Sequence, residues 1–291
     1  YIVVGSDDYK VYLFEKDSST PLWSYTTGGT VHSVAISADG EYIAAGSFEY
    51  KVYLFDKDSS TPLWNYTTGD FVYSVAISAD GEYIAAGSDK VHLFDKDSST
   101  PLWSYSPGSA VASVAISADG EYIAAGSWDD KVYLFDKDSS IPLWSYTAGD
   151  DVGSVAISAN GEYISAGSDD DKVYLFDKDS STPLWSYDTV GGEVWAVAIS
   201  ADGEYIAAGS DDCKVYLFDK GSSTPLWSYN AIEGIQYVHS VAISADGEYV
   251  VAGFYDGGVY LFDKDSSTPL WSYTAVDAVD SVAISADGEY I

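Results

Sequence analysis

The sequence predicts an all-β protein assembled from seven copies of one four-stranded unit. Three observations carry this. Val-Tyr-Leu-Phe occurs six times and Val-His-Leu-Phe once, starting at Val11, Val52, Val91, Val132, Val173, Val215 and Val259. Each copy is followed by Pro-Leu-Trp, and these prolines, from Pro21 to Pro269, recur every 39 to 44 residues. Seven times a Ser-Ala-Asp-Gly-Glu turn separates two apolar runs, with Asn160 replacing the Asp once.

The copy from Val31 to Thr68 shows why each element forms. Ser33 to Ser37 is a short β-branched run, strand a, and Ala38-Asp39-Gly40 is a tight hairpin turn in which glycine supplies the positive φ. Tyr42 to Gly46 is strand b, whose alanines let neighbouring backbones approach. Lys51 to Phe55 is strand c, with no polar alternation, so both of its faces are expected to be covered. Asp56 to Thr61 is a turn whose carboxylates and hydroxyls cap local amides. Pro62 to Tyr66 is the outer strand d, where a proline at the strand start removes no interior ladder bond. Four such strands in seven tandem copies predict a seven-bladed β-propeller with four antiparallel strands per blade, forming one domain over residues 1–291. The chain opens on strand b, Ile2 to Gly5, and ends after strand a, Ser281 to Ser285. The last blade is therefore expected to be closed by pairing these two segments.

Composition narrows the function. There are 46 acidic residues and 13 basic ones, all lysine, for a net charge of −33. Such a surface repels a phosphate backbone, which argues against nucleic acid as a partner. No apolar run approaches the ~20 residues of a membrane-spanning helix, so no membrane insertion is expected. Cys213 is the single cysteine and cannot form an intrachain disulfide. Tyr1 is neither an initiator methionine nor the start of a leader, and further repeats or flanking domains are expected.

Ser113 to Ser127, reading Ser-Val-Ala-Ile-Ser-Ala-Asp-Gly-Glu-Tyr-Ile-Ala-Ala-Gly-Ser, resembles WD-repeat blades and the YVTN-type blades of microbial surface-layer propellers. Val132 to Asp136 with Pro142 to Tyr146 is similar to pyrroloquinoline-quinone-type blades and their docking tryptophan. The resemblance covers the whole chain and implies the propeller fold; it brings no single activity with it. The departures are specific. Phe-Asp replaces the WD dipeptide, the Gly-His of WD repeats is absent, and Thr-Pro or Ile-Pro replaces the Thr-Gly before the quinone-type tryptophan.

Variation among the copies points to a binding surface. The a–b turns and the Asp-Lys-Asp-Ser-Ser-Thr-Pro c–d turns are almost uniform, the latter departing only at Glu15, Gly221 and Ile141. The b–c turns and d–a connections differ from copy to copy, as Ser47-Phe-Glu-Tyr50 and Ser127-Trp-Asp-Asp130 show, and the Asn230 to Tyr237 connection is the longest. Variable turns on one end of a rigid scaffold favour recognition. Seven of the nine tryptophans occupy strand d and are expected to be structural, whereas Trp128 and Trp195 break the pattern. Phe48, Tyr50, Tyr73, Trp128, Trp195 and Tyr255 are therefore the expected partner-binding residues, with Tyr9, Phe71, Tyr237 and Phe254 adding to the same aromatic face.

Catalytic signals are absent. There is no nucleophile elbow or phosphate loop, and a quinone pocket lacks any arginine to serve it. No cofactor and no enzymatic activity are expected. No metal is expected either; His32, His239 and Asp280, three competent ligands at equivalent positions of their copies, are the residues that would hold one. Asp-Lys-Asp-Ser-Ser resembles half of a calcium loop but lacks its glycine and distal acid, so an Asx turn is expected there. Asn65-Tyr66-Thr67 is a glycosylation sequon.

The sequence therefore reads as a non-catalytic binding or adhesion module with a protein, peptide or glycan partner, placed outside a prokaryotic cell or on its surface. The alternatives are a purely structural repeat of a surface-layer or filament protein, and a quinoprotein-like or lyase enzyme.

Overall fold

A computed structural model describes residues 1–230 and 237–291. The residues are arranged in two compact units, residues 1–129 with 133–143, and residues 130–132 with 144–291. All regular elements among the described residues are strands.

In the first unit, β1 (Ile2–Gly5), β2 (Lys10–Phe14) and β3 (Trp23–Thr26) form a three-stranded sheet. The next sheet is four-stranded and follows chain order, β4 (Val31–Ile36), β5 (Tyr42–Ser47), β6 (Lys51–Asp56) and β7 (Trp64–Thr67). It is followed by β8 (Ser74–Ile77), β9 (Tyr83–Gly87), β10 (Val91–Asp95) and β11 (Trp103–Tyr105). The next sheet, β12 (Val111–Ile116), β13 (Tyr122–Ser127), β14 (Lys131–Asp136) and β15 (Trp144–Thr147), has β12 and β13 in the first unit and β15 in the second. The second unit holds three more sheets of four. These are β16 (Val152–Ile157), β17 (Tyr163–Ser168), β18 (Lys172–Asp177) and β19 (Trp185–Asp188); β20 (Val194–Ile199), β21 (Tyr205–Ser210), β22 (Lys214–Asp219) and β23 (Trp227–Asn230); and β24 (Val238–Ile243), β25 (Tyr249–Phe254), β26 (Gly258–Asp263) and β27 (Trp271–Thr274). The fold class is all-β, with seven propeller blades.

Strand chemistry decides burial. In β5 and β6 the apolar run is continuous and both faces are buried, whereas β7 alternates Trp64 and Tyr66 inward with Asn65 and Thr67 outward. The cores lie between successive sheets. Val11 and Leu13 pack with Val31, Ile43, Tyr53 and Phe55, and the same set recurs down each unit. Close approach requires glycine on the second strand. A Cβ at Gly46 would meet Val72 Cγ1 at 2.6 Å. Each sheet is also latched to the next by its strand-d tryptophan: Trp64 Nε1 donates to the Lys96 carbonyl at 2.7 Å and Trp103 Nε1 to the Lys137 carbonyl at 2.7 Å.

Two expectations are corrected at the chain's ends. Residues 281–285 form no strand, and β1 pairs with β2 in a three-stranded sheet. The C-terminal segment is held instead by the sheet before it, Val282 N–H donating to Ser240 Oγ at 3.1 Å and the Ala286 carbonyl accepting from Ala245 N–H. That hydroxyl latch is the one by which Ser33 holds Val75 and Ser154 holds Val197. Trp271, expected in the core with its six counterparts, is 42% exposed.

Candidate functional site

The turns expected to be uniform are closed on themselves. In the c–d turns Asp58 N–H donates to Asp56 Oδ1 at 2.8 Å, and the same bond recurs from Asp97 to Asp95 and from Asp138 to Asp136. These are Asx turns, as expected, with their carboxylates occupied by local amides. In the a–b turns Ser37 Oγ donates to Asp39 and Tyr42 N–H donates to Ser37 Oγ.

The variable b–c turns contain a constant element that the sequence reading missed. Their third residue is an acid in the six longer copies, and in four of these it is tied inward to a buried tyrosine. Asp129 accepts from Tyr133 Oη at 2.6 Å and from Gly108 N–H at 2.9 Å, and Asp170 accepts from Gly149 N–H at 2.8 Å and from Tyr174 Oη. Glu49 does the same with Tyr53 and Gly28. The bond partners of Glu49 hold its carboxyl below the usual range, although burial opposes them. The corresponding tyrosine hydroxyls are pushed up, first by burial and then by the carboxylate. These acids brace the turns, and the residues on either side of them are the ones left to vary. The signal was available as the tyrosine four residues downstream of each acid.

A β-bulge sets the direction of the other candidates. The register shifts between Val31 and Ser33, between Val194 and Ala196, and between Val238 and Ser240. His32, Trp195 and His239 are the extra residues at these bulges, while Ala112 and Gly153 hold the same place elsewhere. A bulge re-aims a side chain out of the alternation of its strand.

In the first unit the expected residues come together. His32 stacks on Phe48 with ring centroids 4.7 Å apart, Phe48 lies 4.7 Å from Phe71 and 5.9 Å from Tyr73, and Tyr73 lies 5.0 Å from Trp128. Tyr50 joins the run through Phe71 at 5.2 Å. Trp128 is 40% exposed and Tyr50 43%, so this run is a surface and not a core. In the second unit Trp195, 49% exposed, stacks on His239 at 5.5 Å, and His239 is 5.3 Å from Tyr255. Phe254, expected on the same face, is instead fully buried against Tyr260, because it continues the inward-facing side of β25. Of the Asn230 to Tyr237 connection, residues 231–236 lie outside the described residues.

His239 Nδ1 is 3.9 Å from Asp280 Oδ1, while His32 belongs to the aromatic run of the first unit. Among the described residues, the three-ligand grouping within 4.8 Å is Asp130, Asp150 and Asp151. Nearby, Asp169 has its carboxyl pushed up to about 6, first by burial and then by Glu193, Asp151, Asp150 and Asp211.

Comparison with known families accords with this geometry. Residues 19–56, 60–92 and 99–136 match the WD domain, G-beta repeat, and residues 128–287, more than half of the chain, match the family described as outer membrane protein assembly factor BamB. The chain belongs to this propeller family. WD-repeat propellers mediate protein interaction, and the two sets of matches together take in all seven repeats from the first strand d onward. No curated protein sequence matches the chain. Among the described residues no helix of this family member is long and apolar enough to cross a membrane.

Proposed function

We propose that the protein is a non-catalytic protein-binding module, and that its partner surface in the first unit is the aromatic run of Phe48, Phe71, Tyr73 and Trp128 flanked by His32 and Tyr50. The observation that carries this is the continuity of those rings. Residues from three successive sheets, none of them at a core position of the repeat, form one exposed aromatic patch. Exposed aromatics on braced turns supply contact area at low entropic cost, which is the composition of binding hot spots. The bracing acids keep the turns in place without occupying the rings. The strongly negative charge favours a site on the cell surface or outside the cell, where the module would serve adhesion through a protein or peptide, with glycans as the second class of ligand.

The test is a display screen of peptides and glycans followed by calorimetric titration of the hits. Trp128→Ala is expected to weaken a selected peptide by about 2 kcal/mol, roughly thirtyfold, with the fold intact. Hits that bind Trp128→Ala and Phe48→Ala as tightly as the parent protein exclude this surface.

A further inference from the structure

Trp195 and His239 occupy the bulge positions of two adjacent sheets in the second unit, where other copies carry Ala112 and Gly153. Their rings are nearly parallel, 7° apart with centroids at 5.5 Å. Tyr255, 54% exposed, extends the platform from His239, and Asp280, its side chain 84% exposed, sets a carboxylate oxygen 3.9 Å from His239 Nδ1. Packing does not account for this arrangement. The seven-fold core is complete without these side chains, and an alanine or glycine suffices at the same bulge elsewhere.

The electrostatics select the occupant. The turns of this unit carry Asp150, Asp151, Asp169, Asp171, Glu193 and Asp211, and the carboxyls of Asp169 and Asp211 are pushed up first by burial and then by their acidic neighbours. The lysines of the same turns are already engaged, Lys172 with Asp170 at 3.4 Å and Lys214 with Asp212 at 2.6 Å. The chain has no arginine. An anionic ligand is repelled here, and a purely apolar one gains nothing from the field. A cation is drawn in and held over an electron-rich ring face.

We infer that Trp195, His239, Tyr255 and Asp280 form a docking platform for a cationic peptide segment, with an arginine side chain stacked on the aromatic rings and its guanidinium paired with Asp280. A guanidinium is planar, weakly hydrated and a fork donor, so it satisfies the ring face and the carboxylate together, which an ammonium does less well. The inference rests on the reading that off-template aromatics contact a partner, and it adds the chemistry of that partner.

The experiment is an NMR titration of the full chain labelled with ¹⁵N in its nine indoles, the Trp195 signal being assigned by Trp195→Phe. The probes are a short Gly/Arg peptide, the same peptide with citrulline as the neutral isostere of arginine, and a neutral oligosaccharide. The arginine peptide is expected to shift the Trp195 signal saturably, with affinity roughly tenfold above that of the citrulline peptide. Asp280→Asn, a surface change that leaves the core untouched, is expected to weaken it about two- to fivefold. Trp128→Ala is expected to leave it unchanged. Equal binding of the citrulline peptide, a response to the oligosaccharide alone, or no loss in both Trp195→Ala and Asp280→Asn overturns the inference. So does an equal shift of all nine indoles that moderate salt abolishes, since that is general attraction to a polyanion. Failure here with the Trp128 surface still binding its own hits removes the cationic platform and leaves the proposed function standing.

Discussion

His92 puts a group that ordinarily titrates near neutral pH at a core position of the repeat. Six copies carry tyrosine there, and in four of them the hydroxyl reaches the bracing acid of the turn from a buried site. The third copy has a turn two residues shorter, Ser88 and Asp89 alone preceding Lys90, and a histidine fills the position. Its ring is 2% exposed, Nδ1 lies 2.8 Å from Ser104 Oγ, and Nε2 is buried with no hydrogen-bond partner. Burial therefore holds its pKa down at about 4, against an ordinary value of 6.5. The sign follows from proton binding. Between pH 6.5 and 4 the unfolded chain binds a proton at this site and the folded one does not, so stability is fully present above 6.5 and is lost as pH falls toward 4. At pH 4.5 the loss comes to about 2.5 kcal/mol relative to pH 7.5. His92→Phe removes the titration while fitting a site shaped for tyrosine. Urea unfolding of both proteins at pH 7.5 and 4.5 is the assay, since carboxylate effects are common to the two and cancel. The gap between them should shift by about 2.5 kcal/mol in favour of His92→Phe on acidification. Parallel pH profiles, within about 0.5 kcal/mol, would refute the argument that the histidine is kept neutral by burial.

Three further outcomes are expected. Trp103→Ala should cost about 3–5 kcal/mol, because it opens a cavity beside Phe135 and removes the bond to the Lys137 carbonyl, while Trp128→Ala and Trp195→Ala should each cost under about 1 kcal/mol; equal losses in thermal unfolding would make all three core residues. Asp169→Asn should stabilise the protein at pH 7 by about 1 kcal/mol after allowing for solvent screening, and not at all below pH 4, since a raised carboxyl pKa means stability lost as pH rises from 3.8 through about 6; chemical unfolding at the two pH values reads this directly. The net charge of −33 should make the melting temperature climb as NaCl is raised from low to moderate concentration, and a flat or falling curve would show that self-repulsion is not a significant cost.

What the sequence determined by itself is what repeats locally. Strand identity followed from the repeated apolar runs, from strand c's lack of polar alternation and from the proline that opens strand d, and the turns followed from Asp, Ser and Gly at fixed offsets, because hairpin geometry is decided within a few residues. The off-template aromatics were legible for the same reason, as departures from a template present seven times. The tertiary structure alone decided what depends on pairing between distant segments. A one-residue register shift turned His32, Trp195 and His239 outward, while Phe254, on the inward side of its strand, became core. Asp129, the third residue of its b–c turn, reads in the sequence as one more surface acid; only the placement of Tyr133 and Gly108 around it shows the brace. Residues 281–285 carry the composition of every strand a, yet they form no strand. A strand is a property of a pair, and the latch to Ser240 satisfies the segment from the other side.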